Sequence, residues 1–211
     1  MISKKMENMV ANSSAIRAMF EEGNRLAKIY GPENVFDFSL GNPNVPAPKA
    51  VKQAILDILD EEDELVLHGY TNSNAGYEDV RQAVAESLNE RFGTAFAAKN
   101  ITMTVGAAGG LNVILKALLN PGDEVLVPEP SYVSYAPCVT LADGVPVPIP
   151  MKEENEFKLT AEELEAAITP KTKILVLPFP NNPTGAVWSE RTIRDIAEWA
   201  LDHNIWVISD E

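Results

Sequence analysis

The seven residues FPNNPTG at positions 179–185 follow a short apolar run, KILVL at 173–177, which has the composition of a buried strand. A second apolar run, IWVI at 205–208, is followed by the residues SDE at 209–211. Open α/β sheets bind their ligands outside the carboxyl ends of the strands, so the polar groups after these two runs are candidate binding residues. An Asn amide and an Asp carboxylate at such an edge suit a ring that carries a hydroxyl or phenolate and a basic nitrogen.

Strand-like and helix-like segments alternate through the rest of the chain. Short apolar, β-branched segments predict strands at 101–105, 124–128, 145–149, 173–178 and 205–209, and helical periodicities lie between them at 108–119, 131–141, 160–168 and 189–203. Thr160 with Glu163 predicts a capping box, and Ser189 predicts a helix N-cap. This alternation predicts an α/β fold with a mostly parallel sheet flanked by helices.

The N-terminal portion has a different pattern. Helices are predicted near 13–29, 46–62 and 75–92, with a short extended piece at 36–40. We expect residues 1–45 to form an N-terminal arm and a small-domain segment, and residues 46–211 to form an incomplete ligand-binding large domain.

Composition excludes several classes of function. The 211 residues carry 17 basic and 31 acidic side chains, a formal charge of −14, which argues against nucleic-acid or anionic-membrane partners. The single cysteine, Cys138, excludes an internal disulfide, and we find no Cys/His cluster for a metal. No apolar run approaches the roughly 20 residues that span a bilayer. No signal peptide is recognised, and we expect a cytoplasmic protein.

Individual candidate residues each have an alternative explanation. The turn GAAGG at 106–110 precedes a predicted helix, where backbone N–H groups favour an anion, but a plain tight turn fits equally well. Tyr132 is placed to stack on an aromatic ligand or simply to pack at the domain surface. Tyr70 lies in a glycine-containing loop, where a phenol can reach an anion or serve as an ordinary surface residue. Asp210 is a candidate partner for a protonated pyridine nitrogen, or an N-cap for a following helix.

Taken together and in order, these pieces resemble one protein family. The matching segments are SLGNP at 39–43, HGY at 68–70, TVGAA at 104–108, NPGDEV at 120–125, PEPSY at 128–132, NNPTG at 181–185 and SDE at 209–211. They resemble the class I/II aminotransferases, which are pyridoxal-phosphate enzymes of fold type I. The resemblance implies pyridoxal 5′-phosphate as cofactor and the large domain of the PLP-dependent transferase fold.

The resemblance also implies roles around the cofactor ring. Asp210 would keep the pyridine nitrogen protonated, which makes the ring an electron sink. Asn182 would hydrogen-bond the ring 3-oxygen and lie beside the substrate, and Tyr132 would stack on the ring.

Further implied roles concern the phosphate and the substrate. The backbone amides of Ala107 and Ala108 would cradle the phosphate, although family members often carry a hydroxyl residue in this turn. Tyr70 would reach the phosphate of the neighbouring subunit's cofactor, in a homodimer, and Gly41 would lie against the substrate carboxylate.

The implied reaction is transamination between an α-amino acid and a 2-oxo acid. The family's Schiff-base lysine follows the strand-end Asp by some tens of residues, so we expect it beyond Glu211. We therefore expect the chain to be the N-terminal part of its parent, with no catalytic lysine and little activity alone. A carbon–sulfur β-lyase, a cyclopropane-forming synthase or a decarboxylase would use the same cofactor residues. A non-catalytic α/β module that binds a nucleotide at Gly106–Gly110 is a third interpretation.

Overall fold

The computed structural model describes residues 2–11, 15–39, 41 and 43–211. The chain divides into two compact units, Met1–Asn74 and Ala75–Glu211. The predicted division into residues 1–45 and 46–211 stays a prediction. Within the described ranges, no helix combines the length and the apolar character needed to cross a membrane.

The first unit is helical where it is regular. Its helices are α1 (Lys4–Ala11), α2 (Ala15–Tyr30), α3 (Lys49–Glu61) and α4 (Glu64–Leu67). The helices predicted near 13–29 and 46–62 correspond to α2 and α3, although residues 13 and 14 lie outside the described ranges. The side chains of α3 are exposed along its whole length. Residues 36–39 of the predicted extended piece form no strand, and Leu40 is not among the described residues.

The second unit is an α/β layer structure. Its elements are α5 (Glu78–Phe92), α6 (Gly106–Leu118), β1 (Glu124–Glu129), α7 (Tyr135–Leu141), β2 (Val145–Pro150), α8 (Ala161–Ala167), β3 (Thr172–Pro178), α9 (Glu190–Asp202) and β4 (Trp206–Asp210). The four strands are parallel, in the order β2-β1-β3-β4. The predicted fold class, a parallel sheet flanked by helices, is confirmed.

Local sequence signals account for several helix ends. Thr160 accepts the backbone N–H of Glu163, and the Glu163 carboxylate accepts the backbone N–H of Thr160, so the predicted capping box is present. Ser189 accepts the N–H of Thr192 at 3.1 Å, as its N-cap position predicts. Such caps satisfy N–H groups that have no partner inside the helix.

Alternate side chains of the strands enter two separate cores. Val125 and Val127 point to one face of the sheet, where they pack with residues of α6 and α7. Leu126 and Leu175 point to the other face and pack with residues of α8 and α9. This period of two, in strands that are apolar on both faces, explains why the strand segments read as continuous hydrophobic runs.

The strand predicted at 101–105 is absent. The segment runs into α6 without sheet pairing, and its Met103 N–H donates to the carbonyl oxygen of Ala75 at 2.9 Å. At the end of the segment the Gly106 N–H donates to the Thr104 carbonyl, and Val105 is 97% exposed. β-branched composition favours a strand only where a neighbouring strand accepts it, so here the local pattern misled the prediction.

The strand order reverses direction at β1. From β1 the chain moves to β2 on one side, whereas β3 pairs with the opposite side of β1. The carboxyl ends of β1 and β3 therefore flank a topological switch point, the usual binding position in open α/β sheets. β4 lies next to β3 at the edge of the described sheet, and its Trp206 is 60% exposed.

Candidate cofactor site

The carboxylate of Asp210 lies at the carboxyl end of β4 and is held by a phenol. The Tyr135 hydroxyl donates to Asp210 Oδ2 across 2.6 Å, and the backbone carbonyl of Asp210 accepts the N–H of Phe179 at 3.1 Å. Tyr135 is only 2% exposed. Burial, reinforced by the hydrogen bond to Asp210, raises the pKa of Tyr135 well above its usual range. The phenol therefore stays a hydrogen-bond donor. Its hydrogen bond offsets the free-energy cost of partly burying the Asp210 carboxylate.

Tyr132 contacts the same phenol from the loop after β1. The rings of Tyr132 and Tyr135 meet edge to face, with centroids 5.5 Å apart and planes at 83°. The two residues are three positions apart, and the Tyr135 N–H donates to the Tyr132 carbonyl at 3.2 Å as the chain turns into α7. One buried tyrosine thus contacts both a carboxylate and a half-buried aromatic ring.

The start of α6 has no side-chain cap on its backbone N–H groups. Gly106 has φ +70°, a conformation that favours glycine, and Val105 at the N-cap position provides no side-chain acceptor. Gly110 lets the turn before α6 lie close to the helix, because a Cβ on this residue would lie only 3.3 Å from Thr104 Oγ1. A 13-residue helix whose N-terminus has no side-chain cap is suited to an anion.

The loop FPNNPTG is organised by its first asparagine. Asn181 is 4% exposed, and its Oδ1 accepts both the backbone N–H and the hydroxyl of Thr184. Its Nδ2 donates to the carbonyl of Pro130 at 3.3 Å, which ties the loop after β3 to the loop after β1 across the switch point. Asn181 therefore fixes the backbone that presents its neighbour.

Asn182 has the opposite environment. Its side chain is exposed, and within the described part of the chain it makes no side-chain hydrogen bond. The amide therefore remains available to a ligand at the carboxyl edge of the sheet.

The sequence-predicted residues divide between the two units. Asp210, Asn182, Tyr132, Ala107 and Ala108 belong to the second unit, and Gly41 and Tyr70 belong to the first. Both residues of the first unit are exposed, Tyr70 completely so. Their contribution to the site remains a prediction.

Sequence reasoning missed Tyr135 and Asn181. The spacing of three between Tyr132 and Tyr135 was visible, but the partner of the second phenol is 75 residues away in the chain. Asn181 and Asn182 are identical in type, so only their burial separates the structural asparagine from the exposed one.

Comparison with known proteins identifies the family. The family model for aminotransferase class I and II matches residues 33–211. The chain belongs to the class I and II aminotransferase family. Aromatic-amino-acid aminotransferase 2 of Thermococcus litoralis is 38% identical over the whole chain, which covers 51% of that protein. Aspartate aminotransferase of Pyrococcus horikoshii is 36% identical over 96% of the chain and 49% of its own length. The chain spans about half the length of these curated relatives.

Solved structures agree with this family membership. An amino transferase from Eubacterium rectale superposes with a TM-score of 0.88 at 35% identity, over 99% of this chain and 54% of that one. Aspartate aminotransferase from Thermus thermophilus with maleate gives a TM-score of 0.87 at 31% identity, over 100% of this chain and 53% of that one. The family match favours the aminotransferase interpretation over the non-catalytic nucleotide-binding module.

Proposed function

We propose that this chain supplies cofactor-binding residues of a pyridoxal-phosphate-dependent aminotransferase, which transfers the amino group of an α-amino acid to a 2-oxo acid. The observation that carries the proposal is the phenol-bound carboxylate of Asp210 at the carboxyl edge of the sheet, in a chain of this family. Its Oδ2 accepts the phenol, which leaves Oδ1 for a cationic ring nitrogen.

The residues of the chain fit the three chemical parts of the cofactor. The unmatched oxygen of Asp210 suits the protonated pyridine nitrogen, and the exposed amide of Asn182 suits the ring 3-oxygen. Tyr132 offers an aromatic face for stacking. The backbone N–H groups of Ala107 and Ala108, at the uncapped start of α6, suit the phosphate.

The proposal also includes two residues of the first unit. Gly41 lies against the substrate carboxylate, where the absence of a side chain leaves room. Tyr70 reaches the cofactor phosphate of a second copy, so the complete protein is a homodimer. We place this homodimer in the cytoplasm.

When bound, the cofactor withdraws electrons from the substrate carbon that carries the amino group. The chain's own residues orient the ring and preserve its charge: Asp210 holds the proton on the ring nitrogen, and Asn182 fixes the ring oxygen. The lysine that would anchor the cofactor and move the substrate proton belongs to sequence after Glu211 in this proposal.

A titration of the 211-residue chain with pyridoxal 5′-phosphate tests the cofactor assignment. We expect one saturable site per chain, no competition by nucleotides, and no adduct at a unique lysine after borohydride reduction. Competition by a nucleotide, or the absence of saturable binding, would contradict the assignment. A stoichiometric adduct at one lysine would contradict the view that the anchoring lysine lies after Glu211.

The type of reaction is tested on the complete protein. Transamination converts a 2-oxo acid to an amino acid with no release of ammonia or sulfide. Release of sulfide from a sulfur-containing amino acid, with no amine transfer, would instead identify a carbon–sulfur β-lyase.

A further inference from the structure

We propose that Tyr135 is a positioning residue for the cofactor ring, because it fixes which oxygen of Asp210 faces the ring nitrogen and supports the ring of Tyr132. The inference rests on the proposed function and extends it to a buried residue that the family motifs quoted above do not include. Tyr135 acts through Asp210 and Tyr132, and it does not contact the ring itself.

The Tyr135 hydroxyl restricts how the Asp210 carboxylate is oriented. The terminal torsion of an aspartate side chain is broad, so a carboxylate with no partner samples many orientations. The 2.6 Å bond from the Tyr135 hydroxyl occupies Oδ2 and restricts this rotation. Of the residues that the structure describes, Tyr135 is the one whose side chain donates to the Asp210 carboxylate. The orientation of Oδ1 therefore depends on this phenol.

The Tyr135 phenol is itself held in place by the core around it. Tyr135 packs in the core cluster formed by α6, α7 and the strand residues Val125, Val127 and Val176, and it is almost completely buried. Its ring cannot move without disturbing that core, which is as closely packed as an organic crystal. The sheet and the helix layer thus hold the donor in place before any ligand arrives.

Tyr135 makes two contacts at the same time. The Tyr135 ring meets Tyr132 edge to face, while its hydroxyl bonds Asp210. The ring of Tyr132 and the carboxylate of Asp210 are thereby held in fixed positions relative to each other. This arrangement favours a ligand that presents an aromatic face and a protonated nitrogen in the same plane.

The test compares two ligands that differ in a single ring atom. Pyridoxine 5′-phosphate carries the ring nitrogen but no aldehyde, and its benzene analogue has carbon in place of that nitrogen. Calorimetric titration of the 211-residue chain gives the affinity of each at pH 7, for the wild type, Tyr135→Phe and Asp210→Asn. Tyr30→Phe, at a largely exposed position on α2, is the matched control.

We expect the wild type to prefer the pyridine ligand. Tyr135→Phe should lower its affinity for that ligand about tenfold, equivalent to ~1.4 kcal/mol, and change the affinity for the benzene analogue less than about twofold, because the lost hydrogen bond acts through the ring nitrogen. Asp210→Asn should abolish the preference, and Tyr30→Phe should preserve it.

The outcomes separate the two levels of the proposal. If Tyr135→Phe weakens both ligands equally, or neither, Tyr135 has only a structural role and the inference is overturned, while a lost preference in Asp210→Asn still supports the proposed function. If the wild type shows no preference, the assignment of Asp210 to the ring nitrogen fails, and the proposed function fails with it. Thermal unfolding verifies that Tyr135→Phe is folded. If this variant is destabilised, the titration is repeated in sucrose, which favours the folded state.

Discussion

The two ends of the parallel sheet carry similar polar side chains in different states. At the amino end, Asp123 Oδ2 accepts the Asn120 N–H at 2.8 Å and the Lys173 ammonium at 3.1 Å. Glu124 Oε2 accepts the hydroxyls of Thr169 and Thr172. At the carboxyl end, Asp210 has one phenol on one oxygen, Asn182 is exposed, and the start of α6 has no side-chain cap.

The difference separates groups that hold the fold from groups that remain available. At the amino end one oxygen of each carboxylate accepts two or more donors of the same chain, and for Asp123 one of these donors is a cation. At the carboxyl end Asp210 accepts a single neutral side-chain donor, and within the described part of the chain Asn182 and the start of α6 have no side-chain partner. This shortage of partners fits the position where α/β sheets bind ligands. Polar residues alone therefore do not identify a site; the state of their hydrogen bonds does.

The adjacent asparagines give the largest expected contrast at the carboxyl end. Asn181→Ala should lower the free energy of unfolding by about 1–3 kcal/mol, because the Thr184 N–H and hydroxyl lose their acceptor inside the protein. Asn182→Ala, at an exposed position, should change it by less than about 0.5 kcal/mol and weaken pyridoxal 5′-phosphate binding. Urea unfolding followed by circular dichroism measures the first quantity.

This contrast has a clear failing result. Equal destabilisation by the two substitutions would mean that the burial of Asn181 does not distinguish it from Asn182. The contrast between groups that are bonded within the chain and groups that are available to a ligand would then fail at this loop.

A smaller effect is expected from Tyr135 at alkaline pH. Its pKa in the folded state is raised above the unfolded value of about 10, so its stabilising contribution is fully present below pH ~10 and is lost as pH rises toward the folded pKa. The fall in unfolding free energy above pH ~10 should be shallower in Tyr135→Phe, by up to about 1.4 kcal/mol per pH unit. Urea unfolding of both proteins between pH 8 and 11 measures the difference in slope.

Tyr30→Phe again provides the control, because this phenol is largely exposed. An alkaline slope in Tyr135→Phe that is the same as in the wild type would show that the Tyr135 phenol ionises as readily in the folded chain as in the unfolded one.

The smallest effect is expected at the amino end. The Asn120 N–H and then the Lys173 ammonium hold the pKa of Asp123 below its usual range. Its contribution is therefore present above the unfolded pKa of about 3.9 and is lost as pH falls through the folded value. Asp123→Asn should be less stable than the wild type at pH 7 and similar to it at pH 2, with unchanged affinity for pyridoxine 5′-phosphate.

Asp60→Asn, on the exposed helix α3, is the matched control for removing one exposed carboxylate. A loss of ligand affinity in Asp123→Asn would be unexpected, since it would place a ligand-responsive group at the end of the sheet that we assign to structure.

Much of the second unit was predictable because its signals are local. Thr160 and Glu163 are three residues apart, and their capping box depends only on that spacing. The apolar strands form continuous hydrophobic runs because both faces of the sheet are covered. The error at 101–105 has the same origin: a short β-branched segment looks the same whether or not a neighbouring strand is present to pair with it.

The sequence by itself determined the alternation of strands and helices, the caps, and the motif set that identifies the family, because these depend on residue type and short spacing. Only the tertiary structure decided that Tyr135 meets Asp210, that Asn181 rather than Asn182 is buried, and that Asp123 is matched by Lys173. Those contacts join residues separated by up to 75 positions, and they exist because the strand order β2-β1-β3-β4 brings distant loops to a common edge. Composition and periodicity contain no information on that order.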